Sequence, residues 1–330
     1  MFQSAVRLFR EESAEHVQSI RDSLQLQLRE QELSLFCRSL LNNINKIQLR
    51  LQMRFELFFC CKKDRKYANL PKNLYMVDFL VGLCYNKCVL YNEGGKKMNI
   101  NILHLVEGAK KATGITVIID VFRAYSMEAY LFSKGAKKVI PIGDTELAYK
   151  LKEENPDFVL AGERGGKILP GFDLGNSPAE LLDIDVSGKT VVHTTSAGTQ
   201  GVANAHGADE ILGGSLLTAK AIAKYIKEKN PENVSLVCMG YAGVTETEED
   251  TLCAEYIKSL LEDKPFDMES GIELLKRTSG AKFFDSKQND VFPEKDFELC
   301  TRVDCFDFVL RLCKNGSLPY MEKVDVKRGS

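Results

Sequence analysis

The segment ITVIIDVF, residues 115–122, is an almost unbroken run of apolar and β-branched side chains. Such a run is typical of a strand that is buried on both faces, and these strands occur mainly in sheets that helices cover on both sides. The segment that follows, SMEAYLFSKG at 126–135, has the composition of a helix. The two segments together predict a strand followed by a helix, which is the repeating unit of α/β proteins.

The same alternation continues along the chain. Further strands are predicted at 137–143, 158–163, 189–196, 209–215 and 233–243, and further helices at 145–156, 198–207, 217–231 and 248–263. This order predicts an α/β domain over residues 98–330, with three α/β/α layers and a mainly parallel or mixed sheet. Residues 267–316 are predicted to be helical, and PYMEKVDV at 319–326 is predicted to add an edge strand. The motifs GAKKVIPI (135–142) and GADEILGG (207–214) each open a predicted strand, which favours an internal duplication.

Residues 1–97 differ from the rest of the chain in composition. They hold three of the 24 glycines and carry a net charge of +6, against −8 for the remainder. One interpretation is a helical extension that self-associates or docks a partner, with a homo-oligomer as one outcome. The other is that translation starts at Met98, because the codons for EGGKKM at 93–98 permit a purine-rich ribosome-binding sequence before a start codon.

The composition excludes several classes of protein. With 44% hydrophobic and 27% charged residues the chain is globular, and no run reaches the roughly 18 apolar residues that a membrane span requires. The ten cysteines include no CxxC pair and no secretory signal precedes them, so a cytoplasmic protein with reduced thiols is expected. The four histidines form no ligand pair, which argues against zinc. The acidic larger part has no basic stripe and argues against nucleic acid as a partner.

Chemically distinctive residues follow the predicted strands. They are Asp120 and Arg123 after the first strand, Glu163 and Arg164 after the third, Thr194, Thr195 and Thr199 after the fourth, and Glu249 and Asp250 after the last. Ligands of open α/β sheets bind outside the carboxyl ends of the strands, so these residues are expected at one edge of the sheet. Carboxylates without histidine suit Mg²⁺, and arginines beside the start of a helix bind anions. The set therefore favours phosphoryl chemistry.

Some of these residues have purely structural alternatives. Thr194 and Thr195 are also typical helix caps, and Thr247-x-x-Asp250 has the spacing of a capping box. Glu163 and Arg164 are also compatible with a surface ion pair. A carboxylate within an apolar run such as that of Asp120 is costly, which favours a functional role for it.

The loop GERGGKILPGFDLGNSP at 162–178 combines glycine and charge. Ser177-Pro178-x-Glu180 predicts the start of a helix, with serine as N-cap and proline in the first helical position. The glycines at 165, 166 and 171 permit positive φ angles and a close approach of the backbone to a ligand. Asp173 and Asn176 are polar groups carried on this shaped loop.

Five segments, in this order and spacing, resemble the 2-phosphosulfolactate phosphatase family. They are IIDVFRA (118–124), AGERGG (161–166), PGFDLGNSP (170–178), TTSAGT (194–199) and EEDTLCA (248–254). The resemblance implies an α/β/α domain and a Mg²⁺-dependent acid phosphatase. Its reaction would hydrolyse 2-phospho-3-sulfolactate to 3-sulfolactate and phosphate, a step towards coenzyme M.

The resemblance also implies roles for residues of this chain. The implied catalytic residues are Asp120, Glu163 and Arg164; the implied Mg²⁺ ligands are Asp120, Glu163, Glu249 and Asp250; the implied substrate contacts are Arg123, Asp173, Asn176, Thr194, Thr195 and Thr199. Whether Asp120 attacks phosphorus or positions Mg²⁺ for an attacking water stays open.

Two segments depart from the usual family pattern. FRAYSM (122–127) replaces FRATST, which puts the bulky Tyr125 where the family has threonine, and TTSAGT replaces TTTNGT, which removes an amide at Ala197. The alternatives to the family's reaction are a phosphatase of the same fold with a different substrate, and a non-catalytic protein that binds an anionic metabolite.

Overall fold

The structure is a computed structural model that describes residues 98–326. The predictions of a helical extension, of an oligomerisation module and of a start at Met98 all concern residues 1–97, which lie outside the described residues. None of the helices between residues 98 and 326 combines the length and the apolar composition that crossing a membrane requires.

Ten strands and nine α-helices make up the described part of the chain. The strands are β1 (Asn99–His104), β2 (Gly114–Ile119), β3 (Lys138–Pro141), β4 (Val159–Arg164), β5 (Lys167–Ile168), β6 (Thr190–Thr194), β7 (Ala208–Gly214), β8 (Asn233–Cys238), β9 (Phe308–Cys313) and β10 (Tyr320–Asp325). The helices are α1 (Leu105–Lys111), α2 (Ala124–Ser133), α3 (Thr145–Glu154), α4 (Pro178–Leu181), α5 (Gly198–Asn204), α6 (Ala219–Lys229), α7 (Glu248–Leu261), α8 (Met268–Leu275) and α9 (Glu294–Cys300). Short 3-10 turns lie at Leu216–Thr218 and Ala281–Phe284.

The strands form a mixed sheet in the order β1-β8-β2-β7-β9-β10-β3-β6-β4-β5. Strands β1, β8, β2 and β7 are mutually parallel, and so are β3, β6 and β4. The hairpin of β9 and β10 joins the two groups through antiparallel pairs on both sides. Because the direction reverses three times between β7 and β3, the two parallel groups run in opposite directions.

Helices cover both faces of the sheet, which confirms the predicted α/β class. Along β2, Ile115, Val117 and Ile119 pack with the apolar residues of α6 and α7. Ile118 points to the opposite face, as alternation along a strand requires, and packs there with Tyr125 of α2. All six residues of β2 are buried, in agreement with the continuous apolar run in the sequence.

Two predictions about secondary structure are wrong, and two elements were not predicted. Residues 267–316 are not a continuous helical region, because β9 follows α8 and α9 within it. PYMEKVDV does not form an edge strand, since β10 lies between β9 and β3 in the interior of the sheet. The edge strand β1 and the helix α1 were not predicted; the short polar-apolar alternation NINILH of β1 is exposed on one side, unlike the buried runs. The two GA motifs precede β3 and β7, which flank the hairpin on either side, but the internal duplication stays a prediction.

The carboxyl ends of the strands therefore do not share one edge of a parallel sheet, contrary to prediction. The end of β6 is instead brought to the end of β2 by helix α5. A Cβ atom at Gly201 of α5 would lie 2.4 Å from Cγ2 of Ile118 and 2.6 Å from Sδ of Met239, so only glycine allows this approach. At the first residue of α5, a Cβ at Gly198 would lie 3.2 Å from Oδ2 of Asp120.

We expect Gly201→Ala to lower the free energy of unfolding by about 1–3 kcal/mol, since the added methyl group overpacks the contact between α5 and β2. The loss should appear even though alanine is the better helix former by about 1 kcal/mol. Urea denaturation measures the change. Gly143→Ala is the matched control, because the nearest atom to its added Cβ lies 3.6 Å away. Equal stabilities of the two variants would show that α5 does not depend on this close approach.

Candidate active site

A pocket lies where the loops after β2, β4, β6 and β8 meet. Three of its side chains are carboxylates, Asp120, Glu163 and Glu249, and two are cations, Arg123 and Lys282. Asp120, Glu163 and Glu249 are all more than nine-tenths buried. The sequence placed Asp120, Arg123, Glu163 and Glu249 near one another, and the structure does bring them together. They come from both parallel groups of strands.

Asp120 lies at the centre of this charge cluster. Its Oδ1 accepts a hydrogen bond from the backbone N–H of Ala124 at 3.2 Å, at the start of α2. Burial raises the pKa of the Asp120 carboxyl to about 7, and the neighbouring carboxylates of Glu163 and Glu249 add to the rise. The N–H groups of Ala124 and Gly198 oppose it. A carboxyl with this pKa exchanges its proton near neutral pH, which suits a general acid or base.

Glu163 connects two loops of the pocket. Its Oε2 accepts from the N–H of Gly166 at 2.7 Å, and its Oε1 accepts from the N–H of Ser196 at 2.8 Å. The turn between β4 and β5 is therefore tied to the loop that leads from β6 into α5. Peptide groups hold this carboxylate in place, so it shapes the pocket wall.

Glu249 differs because part of its carboxylate has no partner. It lies in the first turn of α7 and lines the pocket, and within residues 98–326 its buried Oε2 has no hydrogen-bond partner. Burial raises the pKa of Glu249, and the neighbouring hydroxyl of Ser279 and ammonium of Lys282 oppose the rise. A buried acceptor without a donor is costly, and a cation or a ligand donor in the pocket would satisfy it.

The structure does not bring Asp250 to the pocket. Its Oδ1 accepts from the N–H of Val121 and its Oδ2 from the N–H of Gly240, both at 2.8 Å. Burial raises the pKa of Asp250 well above its ordinary value. The carboxylate joins the loops after β2 and β8, so its predicted role as a metal ligand is corrected to a structural one. The capping-box alternative is also wrong, since the Thr247 side chain makes no capping hydrogen bond.

Arg123 is buried, and its guanidinium is largely bound by the protein. It donates to Asp296 Oδ2 at 2.6 Å, to the carbonyl of Val291 at 3.0 Å and to the carbonyl of Gly166 at 3.2 Å. Its Cζ lies 5.0 Å from the ring centroid of Phe292. Arg123 does line the pocket, as predicted, but most of its donors fasten the residue 291–296 region to the turn after β4.

Two predicted residues lie outside the pocket. Arg164 is exposed and donates to the carbonyl of Gly143 at 2.8 Å and to the carbonyl of Glu163 at 2.8 Å. Asp173 accepts from the N–H of Leu160 at 2.8 Å and pairs with Lys152 at 3.2 Å. Local backbone and surface groups bond to both side chains. The catalytic role of Arg164 and the substrate contact of Asp173 stay predictions.

The three threonines between the end of β6 and the first turn of α5 do not line the pocket. Thr195 Oγ1 accepts from the N–H of Thr199 at 3.3 Å, and the Thr199 hydroxyl donates to the carbonyl of Thr195 at 2.9 Å. Thr194 is fully buried. The pocket is lined here by Ser196 and Ala197 instead. The N-cap residue of α5 is Ala197, so neither Thr194 nor Thr195 is the N-cap of this helix, and the substrate contacts of all three threonines stay predictions.

The loop at 162–178 has the predicted backbone. The glycines at 165, 166 and 171 have φ angles of 60°, 82° and 73°. A Cβ at Gly166 would lie 2.5 Å from Cζ of Phe292, so the close approach there is to a protein ring. Ser177 caps α4 as predicted, by accepting from the N–H of Glu180, but Glu180 bonds to the N–H of Gly175 in place of completing a capping box.

Asn176 lines the pocket, as predicted, and is oriented by residues that the sequence did not reveal. The imidazole of His193 lies 3.1 Å from Asn176 Oδ1 through Nε2, and 2.9 Å from Glu128 Oε1 through Nδ1. His193 and Glu128 are buried on β6 and α2. His193 thus holds one end of the Asn176 amide, and the other end is left for a ligand. In the sequence, His193 and Glu128 are polar residues within largely apolar segments, and no other feature indicated that they contact each other.

Lys282 is the second residue that the sequence did not reveal. It lies in the 3-10 turn Ala281–Phe284 and reaches the pocket from a region predicted to be helical. Burial lowers the pKa of Lys282, and the Glu249 carboxylate opposes this. Candidate residues were chosen because they follow predicted strands or belong to motifs. Lys282 does neither, so the sequence did not point to it.

No three His, Cys, Asp or Glu side chains between residues 98 and 326 are grouped so that they could hold a metal ion together. The predicted four-carboxylate metal set is therefore not assembled. Glu163 and Asp250 are instead bound by the backbone, because N–H groups donate to both oxygens of each carboxylate.

Comparison with known proteins gives a consistent picture. A protein of Caldanaerobacter subterraneus subsp. tengcongensis named "Probable 2-phosphosulfolactate phosphatase" is 34% identical over 214 residues, covering 61% of this chain and 88% of that protein. A protein of the same name from Bacillus subtilis (strain 168) is 31% identical over 216 residues, covering 64% of this chain and 92% of that protein. The family model described as 2-phosphosulpholactate phosphatase matches residues 101–315, which include every side chain of the pocket, and the chain belongs to this family.

Proposed function

We propose that this phosphatase hydrolyses a small acidic phosphomonoester and uses Mg²⁺ held by Asp120 and Glu249. The names of the relatives support 2-phospho-3-sulfolactate as the substrate. We further propose that its products, 3-sulfolactate and phosphate, form on a route towards coenzyme M. The observation that carries the proposal is the charge of the pocket. Asp120, Glu163 and Glu249 share it, whereas Arg123 is already paired with Asp296, so Lys282 alone faces three carboxylates.

Such a pocket repels a phosphate dianion unless cations or protons enter with it. Mg²⁺ fits the residues present, because it commonly takes one or two carboxylates from the protein and fills its other positions with water and phosphate oxygens. Asp120 and Glu249 offer such a pair, and the unpartnered Oε2 of Glu249 is an available ligand atom. When bound, Mg²⁺ would neutralise phosphate charge and polarise the phosphoryl group.

The residues of this chain supply the remaining functions. Asp120, which lies at the centre of the charge cluster, takes up the proton of an attacking water or attacks phosphorus itself. The N–H groups that hold Asp120 and Glu163 fix both carboxylates before substrate binds. Asn176, oriented by His193, donates to a substrate oxygen. Preorganised groups of this kind lower the barrier because they need no rearrangement during the reaction.

We expect Asp120→Asn to lower kcat for phosphate release by about 100-fold or more, because it removes the proton acceptor while keeping an oxygen for the N–H of Ala124. Phosphate release from 2-phospho-3-sulfolactate with Mg²⁺ measures the effect, and circular dichroism checks the fold. Asp173→Asn is the matched control and should retain activity, since Asp173 lies outside the pocket. Full activity of Asp120→Asn would contradict the role given to this residue.

The raised pKa values predict a pH dependence of stability in EDTA. Burial raises the Asp120 pKa from an ordinary 3.8 to about 7 and raises that of Glu249, so the folded protein binds these protons more tightly than the unfolded chain. Their stabilisation is complete below about pH 4; that of Asp120 is lost as the pH rises through about 7, and that of Glu249 as the pH rises through its raised pKa. We expect the melting temperature to fall less between pH 5 and pH 8 in Glu249→Gln than in the natural sequence. The exposed neighbour Glu248→Gln should behave as the natural sequence does.

The same variants test the metal. At pH 8, Mg²⁺ should raise the melting temperature of the natural sequence and of Glu248→Gln, because an ion that binds only the folded state stabilises it. The rise should be smaller in Glu249→Gln, which has lost one proposed ligand. An equal rise in all three proteins would place the ion elsewhere. Stabilisation by 3-sulfolactate without turnover of any ester would favour a binding protein over an enzyme.

A further inference from the structure

Lys282 has an unusual environment for a lysine. Its Nζ lies 5.1, 5.5, 5.7 and 5.9 Å from the ring centroids of Phe292, Phe283, Phe122 and Tyr241. Aromatic rings within about 6 Å attract an ammonium group electrostatically while leaving its charge uncancelled. The ammonium is thus held in place by groups that do not neutralise it.

The N–H donors of Lys282 are also unused by the protein. Among the residues from 98 to 326, no carboxylate lies within 4.0 Å of its Nζ and no oxygen accepts a hydrogen bond from it. Arg123 and Arg164 differ from Lys282, because protein groups accept their hydrogen bonds. Arg123 donates to Asp296 and to two carbonyls, and Arg164 donates to the carbonyl of Gly143. Lys282 is therefore the cation of the pocket that has donors to offer a ligand.

Lys282 lies on the aromatic side of the pocket. Of the pocket carboxylates, Glu249 has the larger electrostatic effect on it and Asp120 a smaller one. Lys282 lies towards Glu249 and is walled by Phe122, Tyr241 and Phe292, which also line the pocket. A phosphate beside Asp120 leaves this aromatic end of the pocket for another part of the substrate. Apolar walls strengthen an ion pair formed there, because they lower the local dielectric.

We propose that Lys282 binds the carboxylate that the substrate carries beside the phosphate, and so selects acidic phosphomonoesters. The inference rests on the proposed phosphatase function and adds a residue that determines its specificity. The three N–H donors of this ammonium suit the oxygens of a carboxylate. Charge-assisted hydrogen bonds of this kind contribute about 1.5–3 kcal/mol.

The test compares two esters that differ only in this group. 2-Phospholactate carries a carboxylate where isopropyl phosphate carries a methyl group. Lys282→Met removes the charge but keeps an unbranched side chain that packs well against aromatic rings. We expect the ratio of kcat/KM for 2-phospholactate over isopropyl phosphate to fall by about 10- to 150-fold, mainly through KM. The ratio should be unchanged in Lys287→Met, whose lysine is exposed on the neighbouring loop.

Each other result is decisive as well. An equal fall for both esters would place Lys282 at the phosphate and overturn the proposal, and so would an unchanged ratio. If Lys282→Met does not fold, Lys282→Gln removes the same charge. If the natural sequence releases phosphate from neither of these esters nor from 2-phospho-3-sulfolactate, the phosphatase function fails, and binding of 3-sulfolactate then decides the role of Lys282. A rise in melting temperature that Lys282→Met abolishes supports it, and equal rises overturn it.

Discussion

The approach of helix α5 to strand β2 is the contact on which the pocket depends. The strands β2 and β6 belong to groups that run in opposite directions, so their carboxyl ends would be separated in a flat sheet. Gly201 lets α5 lie against Ile118 and Met239, and the first turn of α5 then meets Asp120. Glu163 reaches the same point through the N–H of Ser196, immediately before α5. One missing side chain thus allows carboxylates of both groups to share a pocket and to shift each other's proton affinities.

The sequence predicted most elements of the fold because the buried strands are chemically distinct. Strands such as β2 and β8 are continuous apolar runs between polar segments, and burial on both faces demands this composition. The segment FELCTRVDCFDFVLRLC at 297–313 has no such clarity: its first residues form α9 and its last form β9, although the apolar spacing suggests one helix. Strand order was not predictable at all. Pairing between β7 and β9 involves residues almost a hundred positions apart, and no local pattern encodes it.

The candidate site was predicted in part, for a similar reason. Residues after strands were correctly placed near one another, and Asp120, Arg123, Glu163, Asn176 and Glu249 do line one pocket. Spacing cannot show which partner a side chain takes. Asp250 follows Glu249 directly, yet it points to the N–H groups of Val121 and Gly240 while Glu249 faces the pocket. Lys282 comes from a turn rather than from a strand end, and only the tertiary structure carries it to the carboxylates.

The position of the β9–β10 hairpin has a consequence for how the sheet is built. These strands come last of all the strands in the chain, yet they occupy the middle of the sheet. At ribosomal rates of roughly 5–20 residues per second, β9 emerges some seconds after β8, roughly 4–14 s. During that interval β7 and β3 each present an open edge, which is a surface that other strands pair with readily. Until the β9–β10 hairpin is synthesised and pairs with both β7 and β3, these two open edges of the nascent chain must therefore be kept from pairing with other chains.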